Sequence, residues 1–130
     1  MKKLSDAELN IMKILWSHDD PMTSNQILEE YKDYADWKLA SLMTALARMV
    51  DKEYVYCDRS TRTNYYSALI SEEQYKLEEG NKFIDNLFNR SAVKLIACLY
   101  QGNKMSDEEI TELRTYLDSL EKNKEEGDTK

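Results

Sequence analysis

The stretch DWKLASLMTALARMVDKEY, residues 36–54, decides how the rest of the chain is read. Leu39, Leu42, Leu46 and Met49 recur at spacings of three and four, the period of a helix with one buried side, and Met43 and Val50 flank that stripe. The opposite side carries Ser41, Thr44, Ala45, Arg48 and Lys52, small or polar residues around one long guanidinium. Asp36 stands where an N-cap belongs, because its carboxylate can accept the first orphan amides.

Directly after this helix the period drops to two. YVYCDRSTRTNYYSAL, residues 54–69, reads as two short tyrosine-rich strands near 54–58 and 63–68, bent at Arg59-Ser60-Thr61-Arg62. Ahead of it, capping boxes at Ser5/Glu8 and Thr23/Gln26 open two further helices. The first, LSDAELNIMKILWSHDD, turns Leu4, Leu9, Met12, Leu15 and Trp16 inward and is stopped by Asp19, Asp20 and Pro21. The second, SNQILEEYKDY, buries Ile27, Leu28 and Tyr31. Three helices and a hairpin within about 70 residues form the layout of a winged helix-turn-helix module.

Beyond residue 70 no strand signal returns. A box at Ser71/Gln74 opens a long helix to about residue 89, loosened at Gly80-Asn81. RSAVKLIACLYQGN is a short helix ended by Gly102, and Ser106/Glu109 opens a third with Ile110, Leu113, Leu117 and Leu120 at heptad spacing. The last ten residues, EKNKEEGDTK, are charged and expected to fray. These helices are too few and short to enclose a core, yet Phe83, Leu87, Phe88, Val93, Ile96, Leu99 and Tyr100 need cover. A second copy of the chain supplies it most simply. The expected architecture is mainly α: a winged helix over residues 1–70, then a helical dimerisation region over 71–130.

Composition narrows the function classes. The net charge of −7 speaks against indiscriminate binding to nucleic acid, but the charge is unevenly spread. Residues 1–70 hold nine basic and eleven acidic side chains, residues 71–130 nine and fourteen. Between residues 38 and 65 the balance turns positive, with Lys38, Arg48, Lys52, Arg59 and Arg62 against Asp51, Glu53 and Asp58. No apolar run approaches membrane-spanning length and the start MKKLSDAE lacks a signal-peptide core, so a cytoplasmic chain without membrane insertion is expected. Cys57 and Cys98 read as free thiols. His18 is the sole histidine, no Cys-x-x-Cys or glycine-rich phosphate loop occurs, and the acidic pairs sit on caps and solvent faces. The residues nominate no catalytic group, no metal ligands and no cofactor.

A groove-inserted helix needs short side chains that let its backbone approach the bases, plus one or two residues able to read them. Ser41, Thr44, Ala45 and Arg48 suit that task. Phosphate contacts are assigned to Lys38, Lys52, the amides at the Thr23 helix start, and Arg59 and Arg62 on the wing. From the residues alone two other readings stay open: a face that is merely solvated, and a winged-helix adaptor that binds protein rather than DNA.

The run LSDAELNIMKILW, then TSNQILEEY, DW…TALARMVDKEYV and NYYSALISEEQY, resembles the penicillinase-repressor family of BlaI/MecI/CopY type. FIDNLF…SAVKLIACLYQ…MSDEEITELRTYL extends the likeness over nearly the whole chain. The resemblance implies a homodimeric repressor that binds a pseudo-palindromic operator. It places the recognition helix on residues 37–52, with Ser41 and Thr44 at the family's hydroxyl positions and Arg48 at its late arginine. Ala40, Met43 and Asp51 stand where basic residues are usual, and Glu53 where the family has glycine before the wing. Lys82-Phe83 replaces the Asn-Phe pair cleaved in antibiotic-responsive members, and the cysteine-rich tail of copper-responsive members is missing. Neither inducing signal nor upstream sensor is therefore assigned.

Overall fold

The computed structural model describes residues 3–128 and divides into two units, Met1–Glu78 and Glu79–Lys130. In the first unit, α1 (Asp6–Trp16), α2 (Ser24–Tyr31) and α3 (Leu39–Asp51) precede the hairpin strands β1 (Val55–Asp58) and β2 (Tyr65–Ala68). α4 (Glu72–Leu87) begins in this unit and ends in the other.

Both predicted boxes at the front of the chain are formed. Ser5 Oγ accepts from the Glu8 amide at 3.2 Å while Glu8 Oε1 accepts from the Ser5 amide at 2.9 Å. Thr23 and Gln26 repeat the pattern at 3.2 and 2.9 Å. With these ends satisfied, the helices bury Ile11 and Met12 of α1, Ile27 of α2, and Leu42, Leu46 and Met49 of α3, none with any accessible surface. Each such side chain stabilises the fold by about 1.5–3 kcal/mol relative to exposure. Tyr54 joins the same core and meets Tyr75 edge-on at 6.0 Å, and Trp16 Nε1 donates to the Ile70 carbonyl at 2.9 Å.

The hairpin is antiparallel, pairing Val55 with Ala68, Tyr56 with Ser67, Cys57 with Tyr66 and Asp58 with Tyr65. Tyr66 faces the core, where burial first and then its Cys57 neighbour push its hydroxyl above the ordinary phenol range. Its outer backbone edge pairs with Met22 through bonds of 2.9 and 2.7 Å, so one residue ahead of α2 acts as a third strand.

The quoted stretch departs from expectation at its start. α3 starts at Leu39 with Lys38 as its N-cap and no side-chain cap; Asp36 does not cap it. The cause is Trp37, whose ring stacks on Tyr31 at 4.6 Å and holds residues 35–38 outside the helix. At the other end Glu53 has φ 67°, while Tyr54 N donates to Met49 O and Glu53 N to Val50 O, both at 3.0 Å. That is a Schellman closure with a glutamate in the left-handed position that glycine normally fills. A side chain there costs roughly 1 kcal/mol.

The second unit holds the end of α4, α5 (Ala92–Gln101) and α6 (Asp107–Asp128). α4 is helical straight through Gly80-Asn81, so the expected loosening is absent; Gly80 keeps a negative φ and no neighbour crowds it. At its start Ser71 Oγ accepts from the Gln74 amide at 3.1 Å, but the Gln74 side chain turns forward to Glu78 at 2.7 Å, leaving the box half made. α5 is capped by Ser91 and ends at Gln101 with Gly102 as its C-cap, as expected; Gly102 keeps φ −83°, and the left-handed position falls on Asn103 at φ 58°. The Ser106/Glu109 box opens α6, which runs on through residues 121–128; Thr129 and Lys130 lie outside the described residues.

No side chain of α5 is buried. Phe83, Leu87, Val93, Leu99, Leu117 and Leu120 are exposed, and Ile96, Ile110 and Leu113 are half-buried. Lys82-Phe83 lies inside α4, with the Phe83 ring against Phe88 at 5.6 Å. Among the described residues no helix is long and apolar enough to cross a membrane, and no cluster of three His, Cys, Asp or Glu side chains is arranged to hold a metal.

Candidate nucleic-acid interface

At about 100° per residue, the buried Leu42, Ala45, Leu46 and Met49 define the inner side of α3. Ala45 has no accessible surface, so it belongs to the core and not to the outward face. Its spacing of three from Leu42 places it there, and a methyl group gives no amphipathic signal of its own. Opposite this side, Ala40, Met43, Thr44, Ala47 and the terminal Asp51 are exposed, with Ser41 and Arg48 along one flank and Leu39 along the other. Ala47 was missed by the sequence reading for the same reason that Ala45 was misplaced. The Thr44 hydroxyl donates to the Ala40 carbonyl at 3.0 Å, which leaves an acceptor oxygen and a methyl to meet a ligand.

Lys52 is not where its sequence position implied. Its ammonium reaches across to α1 and donates to Glu8 Oε1 at 2.7 Å, with a weaker contact to the Lys3 carbonyl at 3.4 Å. The Lys52 side chain is 22% exposed and that of Glu8 2%. Burial pushes the Glu8 carboxyl up, but the Lys52 hydrogen bond, the Ser5 amide and hydroxyl, and the lysine charge together hold it below the ordinary range. Glu8 Oε2 is buried with no hydrogen-bond partner among the described residues, so the charge of Lys52 is needed inside the fold. We therefore remove Lys52 from the phosphate-contacting set. A lysine 44 positions from its partner carries no mark of that pairing in the sequence.

The other cations remain available. Lys38, Arg48, Arg59 and Arg62 are exposed, and none forms an ion pair among the described residues. Lys38 stands at the α3 N-terminus and Arg48 in its last turn. Arg59 and Arg62 lie in the turn between β1 and β2, which is shaped by Ser60 N donating to Asp58 Oδ1 at 2.9 Å and Thr61 Oγ1 donating to Thr63 O at 2.8 Å. The Ser60 bond also draws the exposed Asp58 carboxyl below its ordinary range. At the α2 start the Thr23 and Gln26 amides are occupied by their capping box, so the Thr23 amide itself is not free. The Ser24 and Asn25 amides, first in the helix, keep no intrahelical partner and point out of its positive end.

A three-helix core, a hairpin with arginines at its tip and an outward α3 define a winged helix-turn-helix protein, here joined to a helical second unit. Sequence comparison gives the family: a profile described as Penicillinase repressor matches residues 4–119, and the chain belongs to that family of transcriptional repressors, which are not enzymes. A penicillinase repressor of Bacillus licheniformis is 27% identical, the match covering 97% of this chain and all of that protein. A penicillinase repressor of Staphylococcus aureus is 25% identical over 92% of this chain and 94% of that one. The solution structure of monomeric B. licheniformis BlaI in complex with the blaP half-operator is 28% identical over 57% of this chain and 89% of that chain, with a TM-score of 0.49.

Proposed function

We propose that the chain is a cytoplasmic, homodimeric repressor that binds a pseudo-palindromic double-stranded operator. In this reading residues 1–70 bind DNA and residues 71–130 pair two copies. Ser41, Thr44 and Arg48 face the bases of a half-site, and Lys38, Arg59, Arg62 and the free amides at the α2 start hold phosphates. The observation that carries the reading is where Lys38, Arg48, Arg59 and Arg62 stand: on α3 and at the hairpin turn, exposed, and without an ion pair among the described residues. Exposed apolar side chains on α4, α5 and α6 support pairing of two copies, because nine large apolar residues left in water are a surface awaiting a partner. Two half-sites bound by one dimer raise effective concentration, which compensates for a weakly basic reading helix.

The test is a gel shift with the promoter of the chain's own gene at two salt concentrations. A specific shift that weakens steeply with salt supports the repressor. No preference for that promoter over scrambled DNA favours the adaptor reading instead.

A further inference from the structure

We propose that α3 recognises thymine C5-methyl groups in the major groove, through Ala40, Met43, Thr44 and Ala47, and takes a single guanine through Arg48. The inference rests on the operator reading above and names the base chemistry that this helix suits.

The argument starts from what α3 can offer a base edge. Direct readout in the major groove uses bidentate arginine or lysine for guanine, asparagine or glutamine for adenine, a carboxylate for cytosine, and apolar groups for the thymine methyl. α3 has no asparagine, glutamine or glutamate, and Lys52 is tied to Glu8. Its one carboxylate, Asp51, is the last residue of the helix, where it repels phosphates and favours insertion by the N-terminal turns. Thr44 has committed its only donor to the Ala40 carbonyl. What remains on the outward side, ahead of Asp51, is a run of methyl and thioether groups flanked by the Ser41 hydroxyl and one guanidinium.

The exposure agrees. Leu39 and Met43 are 41% and 38% exposed, and Ala40 and Ala47 are exposed beside them. This apolar strip is bordered by Lys38 at its start and Arg48 on its flank, neither in an ion pair among the described residues, and by the exposed Asp51 at its far end, so its N-terminal part is the part suited to a polyanion. Alanines at 40 and 47 also leave room for the helix backbone to approach the groove floor, which a longer residue blocks. Ser41 shares the Arg48 flank and contributes a hydroxyl that accepts or donates to either neighbour base.

The experiment separates the methyl from everything else in thymine. Duplexes selected by the full-length protein from a random library are re-synthesised with deoxyuridine replacing each thymine in turn, which removes one methyl and keeps every hydrogen-bonding group. Affinity is expected to fall about fourfold at each position where a methyl is buried, the equivalent of about 0.8 kcal/mol. Met43→Gln is expected to abolish the loss at one such position, and Arg48→Ala to leave the uracil losses in place. A selected duplex indifferent to every uracil substitution overturns the thymine assignment while leaving the operator reading intact. Uracil losses that persist unchanged in Met43→Gln and in Ala47→Ser also overturn it, since the effect then belongs to DNA shape. Failure to select any sequence over random DNA overturns the operator reading and this inference with it.

Discussion

Replacing Lys52 with methionine keeps an unbranched side chain one atom shorter and removes its charge. The Glu8 carboxylate is then left in a site where its side chain is 2% exposed and one oxygen already lacks a partner among the described residues. Removing one member of a buried pair typically destabilises by about 3–5 kcal/mol. Two features lower the figure here: Lys52 is partly open to water, and the Ser5 amide still holds Oε1 at 2.9 Å. We expect a loss of about 2–4 kcal/mol near neutral pH. Its pH dependence follows from the sign of the shift. In the wild type the folded Glu8 carboxyl lies below its unfolded value, so its contribution is present above the ordinary carboxylate range and is lost as pH falls through the folded value. Without Lys52 two of the influences that hold the carboxyl down are gone and it moves upward, so protonation at low pH costs the variant less than the wild type. The gap between the two proteins is therefore widest near pH 7 and narrows below about pH 4. Urea unfolding followed by tryptophan fluorescence measures it in the full chain, because both tryptophans, Trp16 and Trp37, lie in the first unit. A loss below about 1 kcal/mol that is equal at both pH values refutes the buried-pair account. So does a drop of about one in the salt slope of DNA binding, the signature of a lost phosphate contact.

Three further outcomes follow from the geometry. Glu53→Gly relieves the left-handed strain at the end of α3 and should stabilise the first unit by about 0.5–1 kcal/mol after allowing for glycine's extra freedom in the unfolded chain; a lower melting temperature by tryptophan fluorescence contradicts it. Arg48→Ala should cost about 1–3 kcal/mol at one base position, whereas Arg62→Ala should weaken all sequences evenly and reduce the salt slope by about one; identical behaviour of both variants on specific and random duplexes contradicts the division of roles. Leu113→Asp introduces a charge into the apolar stripe of α6 and should give monomers by sedimentation that release operator at micromolar concentration; wild-type operator affinity in that variant contradicts the coupling of pairing to binding.

The elements were legible because each is announced by local chemistry. Ser5 and Thr23 are marked by the acceptor three residues on, and the tyrosine-rich alternation of residues 54–68 announces a hairpin against its helical surroundings. What escaped was set by neighbours distant in sequence or by residues without a signature. Lys52 looked like a surface cation until Glu8 claimed it from α1. Trp37 looked like the first turn of α3 until Tyr31 stacked on it and displaced the helix start to Leu39. Ala45 and Ala47 differ by two positions and occupy opposite sides of α3, yet alanine carries no sign of which side it takes. Met22 pairs with Tyr66 through backbone atoms alone, and such a bond leaves no trace in side-chain pattern. The opposite case is Glu53: its departure from the family's glycine was visible in the sequence, and its positive φ gives the physical reason that glycine is favoured there.

The most direct test of the central claim is sedimentation of the full-length chain with a duplex carrying the promoter of its own gene, beside a scrambled duplex of equal length and composition. The account predicts two chains per promoter duplex, bound tightly enough to exclude the scrambled competitor, with the complex dissociating as salt rises. A complex of one chain per duplex, or equal binding to both duplexes, contradicts it.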